Sequence, residues 1–205
     1  MTSLSKVLPT MARLLEQRAP ATTACLQAPA TREQIAETES ALNLDFPEDF
    51  VEWLRFANGL VADPVNGLLL PPFFFPVELD RLLVLWNLKL AAREESTCSV
   101  DGLEAGSSST EFSRYFAPIG DDATGDLLVI DLRPGNLHGC ILAWGKTDGH
   151  FGAPVWLSVE EMWKDVTKAL ETGETMGVFS DADPHLTVNG CAARFTIGGA
   201  LVWEF

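Results

Sequence analysis

Residues 120–135, GDDATGDLLVIDLRPG, carry four carboxylates: Asp121, Asp122, Asp126 and Asp131. Acids packed this closely do one of three things. They chelate a cation, pass a proton, or accept backbone N–H groups in a turn. A calcium loop of the EF-hand kind needs oxygen ligands at alternating positions and a bidentate Glu at the twelfth. Counted from Asp121, the third position is Ala123 and the twelfth is Leu132, so the pattern fails. Acid–base catalysis needs two carboxylates converging on one space. Asp126 and Asp131 bracket an apolar run at odd separation, which puts them on opposite faces of a strand. The spacing favours a structural part: a turn over residues 121–125, then a strand opened by Asp126 and closed by Asp131.

The other reactive side chains are equally sparse. His138 and His150 fall in turns and His185 in the C-terminal tail, without the i, i+4 spacing of a helical metal pair. They read as surface imidazoles. No Ser or Cys sits in a nucleophile elbow, and the chain has neither a Walker loop nor a dinucleotide fingerprint. Cys25, Cys98, Cys140 and Cys191 lie far apart with no Cys-x-x-Cys pair. They read as buried or half-buried thiols rather than zinc ligands or a disulfide framework. The expectation is a chain with no catalytic, metal-binding or cofactor-binding residues; a hydrolase hidden in a cleft ranks last. Of six tryptophans, Trp53, Trp86 and Trp163 fall on apolar helix stripes. Trp144 and Trp156 fall at strand ends, where a ring edge is placed to reach a partner.

Fourteen basic residues face 29 acidic ones across 205 residues, a net charge of −15. Such a chain repels a phosphate backbone, so nucleic acid is not the expected partner. The same charge suits a basic protein. The N-terminal 20 residues lack the apolar core of a signal peptide. The most apolar run, GLLLPPFFFPV, is broken by Pro71, Pro72 and Pro76, far short of the roughly 20 residues of a membrane span. The expected location is the cytoplasm, with no membrane partner.

Periodicity outlines the elements that hold these residues. Thr31 and Gln34 form a capping box opening a helix that buries Ile35 and Leu42 and ends near Asn43. Pro47, Glu48 and Asp49 open a second helix with an apolar stripe of Phe50, Trp53, Leu54 and Ala57, closed by Asn58-Gly59. Residues 66–75 read as a short buried strand or extended segment. Leu79, Leu82, Leu83, Trp86 and Leu90 line a third helix. Residues 96–111 read as a mobile polar loop. RYFAPIG, DLLVIDL, GCILAW and APVWL then read as four strands of an antiparallel meander. Ser158 and Glu161 cap a closing helix that stops at Gly173. The class is α+β: an antiparallel β-sheet meander flanked by N-terminal, central and C-terminal helices. The domain spans residues 31–173. Residues 1–30 read as an arm and linker with a short helix over residues 8–17. Residues 174–205 read as an extension with a hairpin signal at Asn189-Gly190, adding edge strands to the sheet.

These segments resemble the SUKH superfamily, named for fungal cell-wall-synthesis regulators and their bacterial relatives. Its Ile-x3-Glu helix matches Ile35 and Glu39, and its Pro-x-x-Phe helix ending in Asn-Gly matches Pro47, Phe50, Asn58 and Gly59. Phe46 replaces the usual Leu before the proline. FAPIGDDATGDLLVIDL is similar to the family's central hairpin through Ile119, Asp121, Gly125, Asp126 and Asp131. GCILAW and WLSVEEMWKDV resemble its next strand and closing helix. The resemblance covers residues 31–171, although Gly145-Lys146 stands where the family often has acidic or histidine residues. It implies a non-enzymatic binding module: an immunity protein that neutralises a protein toxin, such as a basic nuclease, or a regulatory adaptor for an endogenous protein. The expected contact surface is the sheet face and its loops, with Asp121, Asp122, Asp148, Glu94, Glu95, Trp144 and Trp156 as candidates.

Overall fold

The computed structural model describes residues 4–63, 65–93, 100–176 and 190–205. Its helices are α1 (Leu4–Arg18), α2 (Pro20–Thr23), α3 (Arg32–Leu42), α4 (Glu48–Phe56), α5 (Leu79–Ala91) and α6 (Val159–Thr172). A four-stranded antiparallel sheet runs in the order β1 (Phe75–Pro76), β2 (Phe116–Asp121), β3 (Leu127–Asp131) and β4 (Cys140–Trp144). A separate hairpin pairs β5 (Ala192–Phe195) with β6 (Leu201–Glu204). The α+β class and the meander stand as expected.

Local chemistry explains most helix ends. Thr31 Oγ1 accepts from Gln34 N, and Gln34 Oε1 accepts from Thr31 N, completing the capping box. Ser158 Oγ accepts from Glu161 N at the start of α6. The Glu161 carboxylate reaches one residue further back than a capping box requires, accepting from Leu157 N. Gly173 takes the left-handed conformation that stops α6.

Asn58-Gly59 does something different from its expected stop. α4 ends at Ala57 in extended backbone. Asn58 Oδ1 accepts from Leu79 N, so it caps the N-terminus of α5, 21 residues on. Gly59 has φ +70°, and a Cβ there would lie 2.4 Å from the Val77 backbone carbon. It is glycine because two chain segments cross there.

Other sequence expectations need correction. APVWL forms no ladder; Trp156 makes an isolated bridge to Ile141, and the fourth strand is β1 from the proline-rich segment. The expected loop over residues 96–111 is packed from Val100 onward; residues 96–99 lie outside the described residues. Val100, Ala105 and Ser109 are buried. Burial opposes ionisation of Asp101, yet hydrogen bonds from Ser113, Arg93 and Arg114 N outweigh it and hold the carboxyl below its usual range. That network fixes the segment. Finally, residues 4–30 are not a free arm and linker. Leu4, Leu8, Met11, Leu14 and Leu15 are buried as α1 packs on α6 and α4. Apolar residues every three or four positions gave α1 a face that had to be covered.

The C-terminal strands brace α2 and the end of α1 rather than extending the main sheet. Leu201 N donates to Thr22 Oγ1, and Ala21 N donates to the Gly199 carbonyl. The Arg18 guanidinium sits 4.1 Å from the Phe195 ring centroid and donates to the Leu170 carbonyl. Asn189 lies outside the described residues, and the observed hairpin turns over residues 196–200 instead.

Candidate partner-binding surface

The acidic turn between β2 and β3 is held together by its own carboxylates. Asp122 Oδ1 accepts from the backbone N–H of Thr124, Gly125 and Asp126. Asp121 is buried, accepts from Ala123 N, and is bridged by Arg81 at 2.8 Å. Asp126 Oδ1 accepts from Lys146 N. Two lysines bind the turn's carbonyls: Lys89 Nζ donates to Gly125 O and Lys146 Nζ to Thr124 O. Their ammonium groups occupy the carbonyl side of the loop. Burial lowers the Lys89 pKa, against the opposing pull of Asp126, Asp121 and Asp122.

Asp131 closes β3 in a fully buried ion pair with Arg133, at 2.7 Å and with both side chains 0% exposed. The same carboxylate accepts from Arg133 N and Gly106 N. Arg133 Nη2 also donates to Ser107 O, and the guanidinium lies over the Phe116 ring. Every described donor around Asp131 is fixed by packing, and this carboxylate pins the 103–109 loop to the sheet. Arg133 gave no signal in the sequence, because nothing in RPG distinguishes a buried guanidinium from a surface one.

His150 is buried rather than at the surface, at 1% exposure. Its Nδ1 lies 3.0 Å from the Ala143 carbonyl, so Nδ1 carries the proton and donates. Gly149 explains the burial: a Cβ there would sit 2.1 Å from the Ser109 carbonyl oxygen, so the chain is drawn tightly inward. Burial pushes the His150 pKa below 6.5. A depressed histidine pKa gives stability that is full above the unfolded value and is lost as pH falls through the folded one. Urea midpoints will therefore fall between about pH 7.5 and 5.5, and the fall will shrink in His150→Gln. Identical slopes in the two proteins would refute this. His138 is exposed, with Nδ1 near the Arg133 carbonyl, and His185 lies outside the described residues.

The candidate contact residues are therefore scattered. Trp144 and Trp156 are 6% and 4% exposed. Trp144 packs edge-on against Phe112, and Trp156 Nε1 donates to Asp165 Oδ2. Neither ring offers a face to a partner. Asp121 is spent on Arg81, Asp122 is half-buried in its turn, and Asp148 is exposed. Glu94 and Glu95 lie outside the described residues. The sheet face itself is closed, since every residue of β2, β3 and β4 is buried.

Exposed negative charge gathers on the helices instead. Residues 32–56 hold seven carboxylates against two arginines. Glu33, Glu37, Asp45 and Glu48 are exposed. Asp49 is half-buried, and its carboxylate accepts from Glu160 N at the start of α6, locking α4 to α6. Desolvation raises its pKa against the pull of that hydrogen bond. The helix-rich surface was not selected from the sequence, where Glu48 and Asp49 read as first-turn charges.

A short antiparallel meander, closed on both faces and wrapped by helices, leaves helix surfaces and turns for contact with a partner. This is an α+β scaffold. A family model for the SMI1/KNR4 family (SUKH-1) matches residues 29–165, and the chain belongs to that family. Membership supports a protein-binding module in general, in a family that is generally non-catalytic. A search of the curated proteins found no match. Among the described residues, no helix is long and apolar enough to cross a membrane.

Proposed function

We propose that this chain is an immunity protein that binds and neutralises a protein toxin in the cytoplasm, without chemistry of its own. The observation that carries this reading is charge: −15 overall, with Glu33, Glu37, Asp45 and Glu48 exposed along α3, the turn after it and the start of α4. Opposite charge accelerates encounter with a basic partner such as a nuclease and penalises wrong partners. Exposed Asp148 and half-buried Asp122, each in a turn of the main sheet, are secondary candidates for contact. The alternative is a regulatory adaptor that binds an endogenous protein through its N-terminal arm or its Ser/Gly loop; α1 in that arm is packed on the core. Removing the arm would expose apolar residues of α4 and α6 rather than delete a binding tail.

The test is co-purification with the toxin domains encoded beside this gene, together with their activity assays. One such domain should form a stoichiometric complex and lose activity. The complex should weaken by more than tenfold between about 50 and 500 mM salt, as screened charge pairs do. Failure of every neighbouring toxin domain to bind at low salt would overturn the reading.

A further inference from the structure

The segment over residues 106–112 lies across one side of the sheet. Gly106 N donates to Asp131, Ser109 pairs with His150, and the Phe112 ring stands edge-on to Phe116 and Trp144. Two polar atoms buried with it have no hydrogen-bond partner among the described residues: Arg133 Nη1 and His150 Nε2. Folded proteins rarely leave such atoms unmatched, because each has given up its hydration on burial. The two belong to one neighbourhood. Arg133 Nη2 donates to Ser107 O, and two residues on, Ser109 and His150 exchange backbone hydrogen bonds. Asp131 and Arg133 both act electrostatically on the His150 imidazole.

The chemistry of the two atoms defines what fits between them. Arg133 Nη1 only donates. His150 Nδ1 carries the ring proton toward the Ala143 carbonyl, so Nε2 only accepts. The occupant must accept from one nitrogen and donate to the other. It must also be neutral. Asp131 already balances the Arg133 charge, with both side chains fully buried, so an anion would enter unpaired. A cation would face the guanidinium and find both Asp131 oxygens committed to Arg133 and Gly106. Water meets these conditions, and its second proton has an acceptor at hand. The Gly152 carbonyl acts on the His150 ring yet makes no hydrogen bond with Nε2. About three polar partners are the usual set for an internal water.

We infer that an internal water is bound beneath the 106–112 segment, accepting from Arg133 Nη1 and donating to His150 Nε2, so that it joins the Asp131–Arg133 pair to the turn that carries His150.

A crystal structure of the full chain, at a resolution that orders solvent, tests this. It should show one peak with the density of a water oxygen, at about 2.7–3.2 Å from both nitrogens. Crystals of His150→Phe, which keeps a ring and removes the acceptor, should lose that peak. Should that variant fail to fold, the wild-type chain in solution supplies a second readout. Cross-relaxation from water to the His150 Hε1 proton should have the sign of a molecule tumbling with the protein. An empty site, an ion in place of water, direct contact between the two nitrogens, a peak unchanged in His150→Phe, or no cross-relaxation would each overturn the inference. None of these outcomes bears on toxin capture.

Discussion

Asp131→Ala will destabilise the protein by about 3–5 kcal/mol, the usual cost of stranding one member of a buried ion pair. Both side chains of the Asp131–Arg133 pair are fully buried. Removing the carboxylate leaves a guanidinium that can neither reach solvent nor lose its proton. It also strips the acceptor from Gly106 N and Arg133 N. The 103–109 loop should then become the first site cut in limited proteolysis. The double variant Asp131→Leu/Arg133→Met should recover part of the loss, because an apolar pair carries no buried charge. It should not recover all of it, since Gly106 N still lacks a partner. A urea midpoint for Asp131→Ala within about 0.3 M of the parent would show that the pair is dispensable.

Trp163→Ala should be comparably severe, at about 3–5 kcal/mol. Trp163 is completely buried in α6, and its ring lies 4.0 Å, centroid to centroid, from that of Trp53 in α4. The two rings are the main contact between helices that Asp49 also ties together. Truncation leaves a large cavity in the core that the surrounding side chains fill only in part. With a slope of about 1–3 kcal/mol per molar urea, the midpoint should drop by roughly 2 M. Trp163→Phe should lose much less, because the stacking survives and the indole N–H, which has no described partner, is removed. Similar losses for Ala and Phe would mean that the ring–ring contact is not what holds α4 to α6.

The turn at residues 121–126 was legible in the sequence because acids in turns act locally, on N–H groups two to four residues away. The caps of α3 and α6 were legible for the same reason. What escaped was every feature set by distant partners. Asn58-Gly59 reads as a helix stop, yet its amide caps α5 and its glycine admits Val77. His150 reads as a surface imidazole and Arg133 gives no signal, since one sequence cannot say which polar side chains the tertiary fold will cover. APVWL has strand-like composition and does lie along β4, but it meets Ile141 in a single bridge only, and Phe75–Pro76 supplies the fourth strand at the opposite, β2 edge. The tryptophans at strand ends were expected near the surface, and the closing of both sheet faces buried them. The same closing moved the candidate surface from the sheet to the helices.

The packing of α1 against a much later helix has a consequence for synthesis. α1 is made well before α6, which together with α4 covers its apolar face. At about 5–20 residues per second, that leaves part of a greasy helix exposed for roughly ten seconds or more. Chaperone capture of nascent chains should thus be strongest before residue 172 emerges and should subside once α6 has left the ribosome.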